Sequence, residues 1–219
     1  MLTRTLGLAA AVLVAACAAH DKPNPARPTY ADAPPHGRTH VLLVTGGGGA
    51  VPYVEMALLA GDDVDLTRLT PREFDDQVAR GTVPRDAVIV LDDHTPARLP
   101  PAPVRLLYFH PSGEHAPFRL GRQLTGVAVD RIEGEHAVMR DVAIAESRLD
   151  AASALSVNPA RGEVSLAAAG TDTVIAGRSG AGGRVVACSF RPTDTAWSMQ
   201  ATFAVFVHNA VDWLAAAAP

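Results

Sequence analysis

Only two cysteines, Cys17 and Cys188, stand in the 219 residues, which excludes a disulfide framework and leaves the fold to be held by its own core. Long apolar runs are missing too. A spanning helix needs about 20 apolar residues, and the stretch Leu6 to Ala16 is too short. Lysine is almost absent, Lys22 being the only one, and the net charge is −4. With no basic stripe, the chain carries no electrostatic footprint for nucleic acid, so no nucleic-acid partner is expected. No internal repeat is visible, and no Gly-x-Gly-x-x-Gly, Gly-Lys-Ser/Thr or Gly-x-Ser-x-Gly signature occurs at a strand end.

What remains is an ordinary globular composition, 48% apolar and 19% charged, sufficient for one domain. At the N-terminus, Arg4 precedes the apolar stretch, which ends in Val14-Ala15-Ala16-Cys17. A basic start, a short apolar region and small residues before a cut mark a secretory signal. The pattern resembles the lipobox of a bacterial lipoprotein. That resemblance implies removal of residues 1–16, acylation of Cys17 and a stable tether to the lipid bilayer, since each buried methylene contributes about 0.8 kcal/mol and several chains hold firmly. Ala18, rather than the Asp of an inner-membrane retention signal, favours outer-membrane delivery facing the periplasm. Residues 17–38 are rich in proline and polar residues and read as an extended tether, reaching at most about 60 Å at about 3.1 Å per residue.

A domain is expected over residues 39–217. Val41-Leu42-Leu43-Val44 is a continuous apolar run of the kind found in strands buried on both faces. It leads into Gly46-Gly47-Gly48-Gly49 and a helix over 51–60 with Val51, Val54, Leu58 and Leu59 on its apolar side. Val64 to Leu69 alternates like a strand. Thr70-Pro71-Arg72-Glu73 has the N-cap, first-turn proline and third-position glutamate of a helix start. Residues 87–91 and 104–109 are further buried strands, and the β-α-β-α-β order argues a parallel sheet flanked by helices. Short runs at 124–130, 163–167, 172–176 and 183–190 predict added β-hairpins, and 201–218 a terminal helix.

This order, together with Val64 to Asp75, Gly183 to Phe190 and Phe203 to Leu214, resembles a class I glutamine amidotransferase-like domain. The likeness is to the non-catalytic type at the C-terminus of aerotolerance-type bacterial membrane proteins that also carry a von Willebrand factor A module. It implies a flavodoxin-like α/β fold with a mainly parallel sheet, hairpins in the second half and a C-terminal helix. It also implies where a glutaminase would keep its nucleophilic Cys, after the strand 104–109, and its His, after the strand near 184–189. His110-Pro111-Ser112-Gly113 and Phe190-Arg191-Pro192 stand there instead, so a Cys-His-Glu triad is absent from the expected positions and no catalysis of that kind is expected. Cys188, inside an apolar strand, reads as an inert core thiol.

Other candidates lie at the strand ends, where open α/β sheets bind ligands. Asp92, Asp93 and His94 follow one strand, and His110, Glu114 and His115 the next. Asp93, His94, His110 and His115 form an alternative zinc-ligand set, and Ser112 with His115 or His136 as base and Asp92 or Asp93 as orienter an alternative serine hydrolase. Gly46, Gly47 and Gly48 are a candidate anion cradle at a helix start. Trp197 is read as partly exposed, Trp213 as packing, and His208 as facing Asp212 one helical turn on. The leading expectation is a cofactor-free, membrane-anchored binding domain with an envelope protein partner. A periplasmic metal-dependent or serine hydrolase, using the loops after residues 91 and 109, is the alternative.

Overall fold

The structure is a computed structural model, and it describes residues 37–46, 52–145 and 147–216. The lipobox with Cys17, nearly all of the tether and Gly47 to Val51 lie outside the described residues. Of the three anion-cradle glycines, Gly47 and Gly48 fall in that second gap, and only Gly46 is placed, directly after the first strand.

Five strands run parallel: β1 (Thr39–Thr45), β2 (Val64–Leu69), β3 (Val88–Asp92), β4 (Val104–Phe109) and β10 (Gly183–Cys188), in the order β2-β1-β3-β4-β10. Beyond β10 the sheet turns antiparallel through β9 (Asp172–Gly180), β7 (Arg148–Ser156) and β5 (Arg119–Ala128). A side branch pairs β8 (Glu163–Ala169) with β9 and with the two-residue β6 (Arg131–Ile132). This is the mixed α/β, flavodoxin-like sheet expected, with its hairpin additions in the second half.

The apolar runs are continuous because both faces of the parallel strands are covered. Val41, Leu43, Val88, Val90, Leu107, Phe109, Val186 and Cys188 face one core, shared with α1 (Tyr53–Leu58) and α3 (Ala201–Ala215). Their alternating neighbours Leu42, Val44, Ile89, Leu91, Leu106, Tyr108, Val185 and Ala187 face the other, under Phe74 of α2 (Pro71–Arg80). Each fully buried aliphatic contributes roughly 1.5–3 kcal/mol relative to exposure.

Helix α2 starts as its sequence predicts. Thr70 accepts from the Glu73 backbone, the Glu73 carboxylate accepts from the Thr70 backbone, Pro71 opens the first turn, and Gly81 ends the helix at φ 66. Helix α1 is shorter than expected. Pro52 offers no capping side chain, the helix covers only Tyr53–Leu58, and Leu59, assigned to the apolar side, is 54% exposed. Strand β7 has no counterpart among the expected elements: its Ala- and Ser-rich stretch lacks the β-branched residues that mark strands, yet Leu149 and Ala152 are buried in one core and Leu155 in the other. No helix among the described residues is long and apolar enough to cross a membrane.

Candidate functional site

The chain folds so that β1 lies between β2 and β3, with α1 and α2 against opposite faces of the sheet. In such open sheets the crevice at the carboxyl ends of the strands is the usual binding place. Asp92, the last residue of β3, sits there in register with Thr45 of β1 and Phe109 of β4. The ladder continues one residue further. The Asp93 N–H donates to the Phe109 carbonyl at 3.1 Å, and the His110 N–H to the Cys188 carbonyl at 2.8 Å. These bonds carry β3, β4 and β10 past their formal ends together and bring three side chains to one spot.

At that spot one carboxylate serves two partners. Asp93 Oδ1 lies 2.6 Å from His110 Nδ1, and Arg191 Nε donates to Asp93 Oδ2 at 3.1 Å. Arg191 follows β10, and its backbone is held by Asp194: the Arg191 N–H donates to Asp194 Oδ2 at 3.4 Å, and the Asp194 N–H donates to the Arg191 carbonyl at 2.9 Å in the short 3-10 turn Pro192–Asp194. Both Asp93 and His110 have left-handed backbones, φ 54 and 52, which few non-glycine residues adopt. Such conformations cost free energy and persist where the surroundings over-determine them, commonly at functional sites.

The two adjacent carboxyls are electrostatically unlike. Burial, with the Asp93 charge added and Arg191 opposing, pushes Asp92 up to about 6. For Asp93, burial alone acts upward, but hydrogen bonds from Arg191 and His110 and their charges outweigh it and lower its pKa. Neighbouring acids driven apart in this way occur where one is needed as a proton donor and the other as a fixed anion.

The remaining candidates disperse. His94 turns toward α2, with Nε2 3.5 Å from Asp75 Oδ1 and its ring edge-on to Phe74. His115 is exposed, and the carboxylate beside it belongs to its chain neighbour Glu114. The set Asp93, His94, His110, His115 is therefore not assembled, and among the described residues no three His, Cys, Asp or Glu side chains gather as a metal site. The Ser112 backbone N–H donates to Thr95 Oγ1 at 2.9 Å, tying the loop after β4 to the loop after β3. His136 packs on Trp213, whose ring also lies under Arg184 at the start of β10, so it sits at the opposite end of the sheet from Ser112. It does not serve as a base for Ser112.

Two readings change. Trp197 is fully buried, not partly exposed, and its Nε1 donates to Thr202 Oγ1. His208 bonds the Ala57 carbonyl of α1 at 2.9 Å and lies 3.5 Å from Asp63 instead of turning to Asp212. Arg191 is visible in the sequence only as the residue standing where a His is sought, and its partner Asp93, 98 positions earlier, leaves no local signal. Cys188 is inert as expected: it is wholly buried, and burial pushes its thiol well up.

No family model and no curated relative matches the chain. Its fold does match solved structures. The cytoplasmic protein STM1381 from Salmonella typhimurium LT2 aligns with a TM-score of 0.58 at 13% identity, over 80% of this chain and 99% of that one. The cytoplasmic protein STM3548 from Salmonella typhimurium aligns at 0.55 with 10% identity, over 80% and 98%. A candidate GMP synthase subunit from Thermoplasma acidophilum aligns at 0.50 with 13% identity, over 81% and 96%. The chain shares with them a mixed α/β fold, a mainly parallel sheet flanked by helices.

Proposed function

We propose that the chain is a membrane-anchored bacterial lipoprotein whose amidotransferase-like domain does not hydrolyse glutamine and serves as a protein- or ligand-binding accessory component of the cell envelope. The observation that carries this reading is the Asp93 bridge. After β4, where the resembling enzymes keep a Cys, this chain has His110, and after β10, where they keep a His, it has Arg191. The two are tied to a single carboxylate. Thioester formation needs a thiolate beside a base, and the chain's domain thiol, Cys188, is sealed in the core. The domain thus resembles the non-catalytic type in aerotolerance-type membrane proteins, whose role as an accessory module makes an envelope protein the first partner to seek.

The anchor is supported by Arg4, the apolar stretch and Val14-Ala15-Ala16-Cys17, with Ala18 favouring the outer membrane on its periplasmic side. Two assays test the proposal. Radiolabelled palmitate should enter the wild-type chain and not Cys17→Ser, and the purified full chain should release no ammonia from glutamine above a heat-treated control. Unlabelled wild type sinks the anchor, and ammonia release sinks the non-glutaminase reading.

A further inference from the structure

The Asp93 bridge leaves chemistry behind it. An ionised carboxylate only accepts hydrogen bonds, so the 2.6 Å contact requires the proton on His110 Nδ1. The basic lone pair of the neutral imidazole is then on Nε2. Among the described residues Nε2 has no partner, and the terminal nitrogens of Arg191 have none either. The imidazole is only 24% exposed, so it is walled by protein while its ring stays reachable. A carboxylate that sets the tautomer, an imidazole with a free Nε2 and a guanidinium beside it make a base and an oxyanion partner. Both strained residues of the edge belong to this group.

Going beyond the binding role, we infer that His110 is a general base, held by Asp93, which activates water to hydrolyse a neutral carboxylic ester, with Arg191 receiving the developing oxyanion. Nε2 takes a proton from water as the water oxygen bonds to the carbonyl carbon, and the C=O π pair moves onto oxygen beside the guanidinium. The carbonyl then re-forms, the carbon–alkoxy bond breaks, and the alkoxide takes the proton back from Nε2. Ester and water become acid and alcohol, and the imidazole is regenerated. A neutral ester fits this edge because Asp92 and Asp93 disfavour an anionic substrate. Water is the nucleophile because, among the described residues, no serine or threonine hydroxyl is hydrogen-bonded to His110.

The test is p-nitrophenyl acetate hydrolysis by the full chain in detergent. Wild type should exceed the same concentration of free imidazole groups. His110→Gly, which accepts the left-handed backbone, should lose at least about 100-fold. Asp93→Asn should lose a similar factor through the wrong tautomer. Added imidazole should restore turnover to His110→Gly alone, a rescue that a merely structural histidine does not give. A wild-type rate no greater than free imidazole, a rate unchanged in His110→Gly, or loss without rescue overturns the inference. None of these results touches the glutamine assay, so this inference and the binding reading fail separately.

Discussion

Asp93 and His110 leave adjacent parallel strands with the same left-handed backbone, φ 54 and 52, and meet through a 2.6 Å bond between carboxylate and Nδ1. Neither residue is free to relax. Each donates its backbone N–H across the ladder, and Asp93 also holds Arg191 from the end of the next strand. Strain at two neighbouring residues is thereby sustained by bonds across three strands.

The strain is measurable by comparing His110→Gly with His110→Ala. Both remove the imidazole contact, but only glycine takes a positive φ without penalty. Alanine should be less stable than glycine by about 1 kcal/mol in urea melts, the cost of a left-handed alanine. Equal stabilities would mean that the backbone relaxes and stores nothing.

Asp92 gives a pH signature. Its native pKa of about 6 lies above the ordinary 3.8, so the folded state keeps this proton to higher pH than the unfolded chain does. Its effect on stability is therefore nil below about pH 4, grows unfavourable as pH rises toward 6, and is complete above that. Asp92→Asn removes the buried charge and should stabilise the protein at pH 7.5 by up to about 3 kcal/mol, with little gain at pH 4. A gain that does not depend on pH would assign the effect to packing.

Much of this architecture is readable from local pattern. Buried runs such as Val104 to Phe109 and the Thr70-Pro71-Glu73 start carry their own signals, periodicity and capping chemistry, within a few residues. β7 carries none, since its strand character comes from neighbours β5 and β9 that supply partners to an Ala- and Ser-rich segment. The site divides the same way. Asp92, Asp93 and His110 stand out as polar residues ending apolar strands, whereas Arg191 joins them only because β10 is inserted beside β4. The metal set failed for a related reason: residues adjacent in sequence at a strand end, such as Asp93 and His94, point to different neighbours.

Trp197 tests how far the helix α3 entrance is core. It packs edge-on to Phe203 at 5.1 Å and against Phe206 at 5.3 Å, with no exposed surface. Trp197→Ala should cost about 3–5 kcal/mol. In a Trp213→Phe background, the remaining emission should be blue-shifted and resist iodide. Ready quenching would place Trp197 at the surface.

The join between β4 and β10 is what aligns the site, and it hinges on a glycine at its far end. Gly183 opens β10 at φ 112, in register with Val104, and a Cβ there would run into the Val104 carbonyl and amide. Both obstacles are backbone, so no side-chain rotation relieves them, and β10 must move away from β4. That movement loosens the ladder whose other end includes the His110 N–H to Cys188 bond, and with it the approach of Arg191 to Asp93. Gly183→Ala should therefore cost more than about 3 kcal/mol, the combined scale of a forbidden backbone and a displaced strand. At Gly180, the paired end of β9, a Cβ would meet nothing within 4 Å, and Gly180→Ala should stay within about 1 kcal/mol of wild type. Urea melts of the two variants settle the matter: similar losses would show that position 183 is sensitive only as a strand glycine, and a large loss confined to Gly183→Ala would locate the constraint in the β4–β10 contact.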